Sequence, residues 1–188
     1  MGMILLILVG AVIAAVLIVA ATKPNVSQIQ RSATINAPAE TILAHIQDFR
    51  KWRAWSPWEA LDPELNRTYS GQDSGIGAIY DWRGKGKAGA GRMEIVEQSA
   101  SKITIKLDFI KPFQAKNIAE FTLQPQGDTQ VVTWTMTGPQ PFPIKVMGTL
   151  FNMDDLVGKD FEAGLNNLKT LSEDPETAKL VDQESAAS

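Results

Sequence analysis

Lys102 to Ile110 is the stretch that most narrows what this chain can become. Ile103, Ile105, Leu107 and Phe109 alternate with Lys102, Thr104, Lys106 and Asp108. A period of two sends the first set to one face of a strand and the second to the other, so the strand belongs to a sheet with a dry face and a wet face. Weaker forms of the same pattern recur at Val26 to Ile35, Arg67 to Tyr69, Ala78 to Arg83, Arg92 to Glu97, Ala115 to Leu123 and Gln130 to Thr137. Phe121, Leu123, Val132, Trp134 and Met136 fall on inner faces, as do Ile29, Ala33 and Ile35, with Arg31 a misfit among them. Gly71, Gly75, Gly77, Gly127 and Asp128 supply turn chemistry between strands.

Helical periodicity appears only around this meander. Asn36-Ala37-Pro38 reads as a helix start, with Asn as cap and Pro in the first turn, and Ile42, Leu43, Ile46 and Phe49 form its apolar stripe. His45 lies off that stripe and is expected to be exposed. A second short helical turn carries Trp52 and Trp55 until Pro57 stops it. Near the end, Val146, Leu150, Phe151, Met153, Val157, Phe161, Leu165, Leu168 and Leu171 recur at helical spacing from about Pro143 to Leu171, and Gly148 and Gly158 leave room for a break or a bend in such a helix. The expected class is α+β: a curved antiparallel sheet around one long C-terminal helix, with two short helices after the first strand. A sheet with one apolar face must bury that helix against it.

Residues 1–22 differ in kind. Met3 to Ala21 contains only Met, Ile, Leu, Val, Ala and one Gly. As a helix it would reach roughly 28 Å, near the thickness of a hydrocarbon core. A cleaved signal peptide would carry a basic n-region and a shorter apolar run, so a single-pass anchor is the expectation. Lys23 and Arg31 follow the span and no charged side chain precedes it, which leans the soluble part toward the cytoplasmic side. The expected organisation is an anchor over 1–22, a linker over 23–25, the folded domain over 26–172, and an acidic, disordered tail over 173–188. That tail concentrates the negative charge: Ser172 to Ser188 is net −4 in a chain of net −3.

Composition removes several chemistries. Without cysteine there are no disulfides or thiolate sites, and one histidine excludes a multi-histidine metal centre. A formal charge of −3 gives no sign of nucleic-acid binding. No metal or cofactor is expected.

A curved sheet spanned by a helix leaves a cavity. The side chains expected to line it are Trp55, Trp58, Tyr80, Trp82, Phe109, Phe121, Trp134 and Phe161. Three of the five tryptophans fall within Asp48 to Trp58. Such rings serve core packing as readily as a pocket, but the set as a whole is large and polar at its tips, as ligand cavities are. Gly84 to Gly89 matches G-x-G-x-x-G, yet a strand and not a helix is expected to follow it, so phosphate binding is discounted. The basic residues there, Arg83, Lys85, Lys87 and Arg92, read as a solvated hairpin loop or, more sharply, as a contact with anionic lipid headgroups. Asp81 and Arg83 share an outer face and are expected to pair. Asp154 and Asp155 point about 100° apart on a helix and so read as helix-start charges, not an acid–base pair.

Three segments carry a family resemblance: Asp48-Phe49 followed by Trp52, Trp55, Ser56, Pro57 and Trp58; Tyr80-Asp81-Trp82 followed by a glycine-rich turn; and Asn152 to Lys169. With the order of elements, they resemble the helix-grip fold of the START-like, or SRPBCC, superfamily, and within it the bacterial polyketide cyclase/dehydrase-like group. The resemblance covers Val26 to about Leu171 and implies a cavity for a hydrophobic small molecule or lipid. It also implies two alternatives: cyclase- or dehydrase-type chemistry, and a sensing domain whose pocket is vestigial. No catalytic residue carries over from it. For chemistry in the cavity, Tyr80, Asn117 and Arg31 are the polar side chains on nominally inner faces.

Overall fold

The structure is a computed structural model that describes residues 2–150 and 152–174 of the 188. Helix α1 (Gly2–Thr22) leads into β1 (Val26–Ile35) and α2 (Ala39–Ile46). Two 3-10 turns, Phe49–Ala54 and Pro57–Ala60, precede β2 (Asn66–Gly71) and β3 (Ala78–Arg83). After a 3-10 turn at Gly86–Ala88 come β4 (Ala90–Ser99), β5 (Lys102–Lys111), β6 (Ala115–Gln126) and β7 (Thr129–Pro139), then α3 (Phe142–Leu150) and α4 (Met153–Glu173).

The strands make one antiparallel seven-stranded sheet in the order β1-β7-β6-β5-β4-β3-β2. Six strands form a sequential meander, and β1 closes onto the last of them. Register shifts in β4, at Ala90/Gly91 and Ile95/Glu97, add local bend and twist that curl the sheet. In β5 Ile103 and Ile105 are fully buried and Lys106 is exposed, as the alternation requires, while Thr104 on the other face is buried as well. α4 lays Phe161, Leu165, Leu168 and Leu171 into the concave face, where they meet Ile42 and Ile46 of α2 and Phe121, Val132 and Trp134 of the sheet in one core. This is the helix-grip α+β architecture.

Arg31, the misfit of β1, is where the helix is tied to the sheet. Its Nε donates to Glu162 Oε1 at 2.8 Å and its Nη2 to Asp154 Oδ2 at 3.0 Å. Asp154, Gly158 and Glu162 are four apart and share a helix face. Gly158 leaves the gap the guanidinium occupies: a Cβ there would lie 2.0 Å from Arg31 Nη2. The acidic side chains hold Arg31 above its ordinary pKa, and Arg31 in turn holds the Asp154 carboxyl below its own.

Several expectations are corrected. The C-terminal helix breaks between Leu150 and Met153, where Asn152 adopts φ −78° and ψ 94°, and not at Gly148 or Gly158. Leu150 is consequently exposed, because α3 packs on α1 instead of continuing into the sheet. Pro38, not Asn36, is the N-cap of α2; the Asn36 backbone N–H donates to Glu173 Oε1 at 2.6 Å. Glu173 therefore belongs to the folded part, and the rest of the acidic tail, from 175, lies outside the described residues. Pro57 opens a 3-10 turn as its first residue. Asp81 pairs with Arg92, its cross-strand neighbour, at 3.2 Å, and not with Arg83. His45 is 3 % exposed, because α2 is covered both by the following 3-10 turn and by α4.

α1 is apolar on every face and long enough to cross a membrane; a signal sequence would satisfy the same criterion. Its end is seated on α3, with Ala20 fully buried and the Lys23 ammonium donating to the Gly148 carbonyl.

Candidate ligand cavity

The tryptophan-rich segment divides its rings between two tasks. A helix end leaves its last carbonyls without intrahelical donors. At the end of α2, Trp55 Nε1 donates to the His45 carbonyl at 3.1 Å and Trp52 Nε1 to the Ile46 carbonyl at 2.9 Å. Trp55 is thereby drawn into the core. Its own carbonyl accepts from Asn167 Nδ2 of α4 at 3.0 Å. Trp58, three residues on, escapes that role and stands edge-on to Trp134 at 5.4 Å and to Phe161 at 5.9 Å. Trp134 and Phe161 stack face to face at 4.2 Å. Gly164 makes room beside them, since a Cβ there would come within 2.9 Å of the Trp134 ring.

Between the sheet, the first turns of α4 and the Pro57–Ala60 turn lies a cavity of about 290 Å³. Trp58, Tyr80, Trp82, Phe109, Trp134 and Phe161 line it, joined by Trp52, Met93, Leu107, Ala119, Met136 and Val157. The two other expected residues, Trp55 and Phe121, are not in the lining. They lie behind the wall at 1 % and 0 % exposure, packed against Trp134, so their place is in the core. Trp82 is held flat across the sheet: its Nε1 donates to the Ala88 carbonyl at 3.0 Å and its ring covers Gly91.

One polar cluster faces this apolar space, and sequence reading had identified only a part of it. Tyr80 donates its phenol to Glu59 Oε1 at 2.6 Å, and Arg67 Nε donates to Glu59 Oε2 at 2.6 Å. Arg67 also spans the Glu59 and Leu65 carbonyls. The Glu59 side chain is 8 % exposed, and both Glu59 and Tyr80 line the cavity. Tyr69 stacks on Tyr80 at 5.1 Å. Burial, and then the bond to Glu59, push the Tyr80 phenol far above its ordinary pKa; burial and the Glu59 charge raise Tyr69 as well. Burial works against the Arg67 charge, but its bond to Glu59 more than offsets this and holds the guanidinium above its usual value. Tyr80 thus stays a neutral donor, and the cluster offers a ligand the free lone pairs of Glu59 and of the phenol oxygen. The signal for it was an acidic residue directly after Trp58, with Arg67 two before Tyr69 and so on the same strand face. Trp134 Nε1 is buried and has no hydrogen-bond partner among the described residues. Neither Arg31 nor Asn117 reaches the cavity; Asn117 turns to Met136 Sδ beside Gly138.

The basic loop is less basic in space than along the chain. Lys85 pairs with Glu64 at 2.6 Å and Arg92 with Asp81, while Asp62, held below its ordinary pKa by the backbone N–H groups of Lys85 and Glu64, stands beneath the turn. Arg83 is exposed on β3. Lys87 reaches the cavity instead, together with Lys111 and Leu61. The turn leads into β4 and not into a helix, as the G-x-G-x-x-G discount required. Among the described residues no group of His, Asp or Glu side chains could hold a metal ion.

A curled sheet gripping a helix over an aromatic cavity defines a helix-grip fold. The chain belongs to the family described as polyketide cyclase / dehydrase and lipid transport, whose model matches residues 27–173. No curated protein matches the sequence. Solved structures that are similar include a protein of Chromobacterium violaceum (14 % identity, 81 % of this chain and 99 % of that one, TM-score 0.56). The di-domain aromatase/cyclase StfQ of the steffimycin biosynthetic pathway is similar at 13 % identity and TM-score 0.62, over 79 % of this chain and 51 % of that one. The Aha1 dimer of Colwellia psychrerythraea is similar at 13 % identity and TM-score 0.53, over 78 % of this chain and 96 % of that one. At these identities the likeness is one of fold. This chain spans about half the length of StfQ.

Proposed function

We propose that this protein is a membrane-anchored binding module that holds a hydrophobic small molecule or lipid between sheet and helix. The carrying observation is the aromatic cavity of about 290 Å³, whose one polar cluster, Glu59–Tyr80 backed by Arg67, is built to orient a ligand group. Mostly apolar walls with a few placed polar groups are the usual make-up of such sites. Retention of α1 is supported by its integration with the domain: Lys145, 7 % exposed, donates to Asn25 in the linker at 2.7 Å, and Lys23 caps a carbonyl of α3. Lys23 after the span favours the cytoplasmic side for the domain.

A second reading is favoured by the same cluster. Cyclase- or dehydrase-type chemistry needs a polar pair inside the cavity, and Glu59 with Tyr80 is one; Glu59 would then take a proton from a bound substrate while Tyr80 orients it. The high pKa of Tyr80 argues for the orienting role. To test the binding reading, the full chain would be purified in lipid nanodiscs and analysed by native mass spectrometry, followed by solvent extraction. A stoichiometric apolar adduct, lost in Trp58→Ala, supports it. A chain that carries no adduct and takes up neither fatty acid nor hydrophobic dye refutes it. Turnover of the extracted ligand that is abolished by Glu59→Gln would establish the second reading.

A further inference from the structure

The strand registers place the anchor and the cavity mouth at one end of the sheet. Val26, the first residue after the linker, pairs with Pro139 at the end of β7. The start of β6 lies beside that end, with Ile118 opposite Thr137, and Ala115 lies opposite Phe109 near the end of β5. Lys111 in turn pairs with Ala90, Ala90 with Arg83, and Arg83 with Asn66. The linker, the Pro112–Gln114 hairpin, the Gly84–Gly89 loop and the chain entering β2 therefore all sit at the same edge. The linker is only Lys23–Asn25, no more than about 10 Å of extended chain. Its Asn25 is held by Lys145 and by the Gln140 N–H.

The residues displayed there have the character of a membrane-facing surface. Phe113 is 65 % exposed beside Pro112, and Leu61 is 46 % exposed; Pro112 and Leu61 line the cavity. Lys87 and Lys111 stand on the same rim, and neither has an ion-pair partner among the described residues. Apolar tips flanked by unpaired lysines match the boundary between acyl chains and anionic headgroups.

We propose that the cavity opens onto the bilayer that α1 crosses, through a rim made by Leu61, Lys87, Lys111 and Phe113. Through this rim it exchanges an anionic amphiphile with the bilayer. This rests on the ligand-binding reading above. The tail enters toward Trp134 and Phe161, while the head stays with the two lysines. The sequence-based surface of Arg83, Lys85, Lys87 and Arg92 is thereby narrowed to Lys87 and extended to Lys111 and the two apolar tips.

The chain has no cysteine, so single labels are clean. The full chain would be reconstituted in phosphatidylcholine–phosphatidylglycerol vesicles with an environment-sensitive dye at Phe113→Cys, or at Asp128→Cys in the β6–β7 turn at the far end of the sheet. Spin-labelled lipids should quench the dye at 113 and leave that at 128 untouched. At about 1 kcal/mol for each lysine near an anionic surface, Lys87→Gln with Lys111→Gln should lower the docking equilibrium constant about thirtyfold. Transfer of a fluorescent fatty acid between vesicles should slow in that double variant and stop in Val157→Trp, which fills the cavity. Equal quenching at 113 and 128 overturns the docking even if fatty acid still binds. Quenching at 113 alone, without any fatty-acid uptake, overturns the exchange together with the ligand reading.

Discussion

Gly91→Ala should be among the most damaging single-methyl additions this fold can receive. An ideal Cβ at Gly91 would lie 2.2 Å from Trp82 Cη2, 2.4 Å from Trp82 Cζ2 and 2.7 Å from the Asp108 carbonyl oxygen. Relief to ordinary contact requires the indole to move by more than an ångström. It is confined by Phe109 edge-on at 6.0 Å, by Tyr80 stacked at 6.0 Å and by its own bond to Ala88. The Asp108 carbonyl, part of the β4–β5 ladder, has still less freedom. Overpacking of this kind costs about 1–3 kcal/mol, and loss of the indole hydrogen bond about 1 kcal/mol more, so destabilisation of about 2–4 kcal/mol is expected. Trp82 lines the cavity, so displacing its ring should lower ligand uptake together with stability. Gly158→Ala is the internal comparison. There the added Cβ meets only the guanidinium of Arg31, the end of a long side chain 22 % exposed, which can swing aside at the expense of its bonds to Asp154 and Glu162 while the helix gains about 1 kcal/mol of propensity. Chemical denaturation of the full chain in nanodiscs, followed by tryptophan fluorescence, reads both. If Gly91→Ala is as stable as Gly158→Ala, with the Trp82 indole N–H signal unshifted, the account of the Trp82 wall is wrong.

Tyr80→Phe should cost about 1–3 kcal/mol, because the buried Glu59 oxygen loses its donor; an unchanged denaturation midpoint would count against the cluster. Since the folded-state pKa of Tyr80 lies above its ordinary 10.0, its contribution is intact below that pH and is lost as pH rises above it. Alkaline unfolding followed by phenolate absorbance should show that loss, and Tyr80→Phe should flatten it. The Asp154 carboxyl is shifted the other way by Arg31, so its contribution is present above 3.8 and is lost as pH falls below it. Arg31→Gln should therefore flatten the acid limb of the stability curve, and a limb of unchanged slope would show that the pair is inert. Val157→Trp should abolish uptake of a hydrophobic dye while leaving the fold intact; retained uptake would place the ligand elsewhere.

What was legible in the sequence depended on how local its cause was. Strand alternation is a local property, and β1, β3 and β5 begin at the residues the pattern indicated. The cavity wall was legible as a class of residue, but the assignment of each ring was not. Trp55 and Trp58 differ by three positions, and only the carbonyls at the end of α2 decide which of them is drawn inward. The glycines of the C-terminal region misled for a similar reason. Gly158 is there for the close approach of Arg31, not for a bend, whereas the break is marked by Asn152, a residue type favoured at helix N-termini. Glu59 and Arg67 were not singled out in the sequence, because they meet only once β2 pairs with β3 and sets Arg67 opposite Trp82. The partners of the Gly84–Gly89 loop were not legible, because Glu64 and Asp62 come from another segment.

The order of the strands also governs how the chain is assembled. Every pairing from β2 to β7 joins neighbours along the chain, so that ribbon can zip up from short-range contacts as it emerges from the ribosome. β1 is different: Val26 finds Pro139, more than a hundred residues later. The closing step is thus the slow, long-loop one. Until it occurs, the hydrogen-bonding edges of β1 and of β7 stand open. Whatever holds β1 in place during that interval also keeps it from wandering to the edge of another copy.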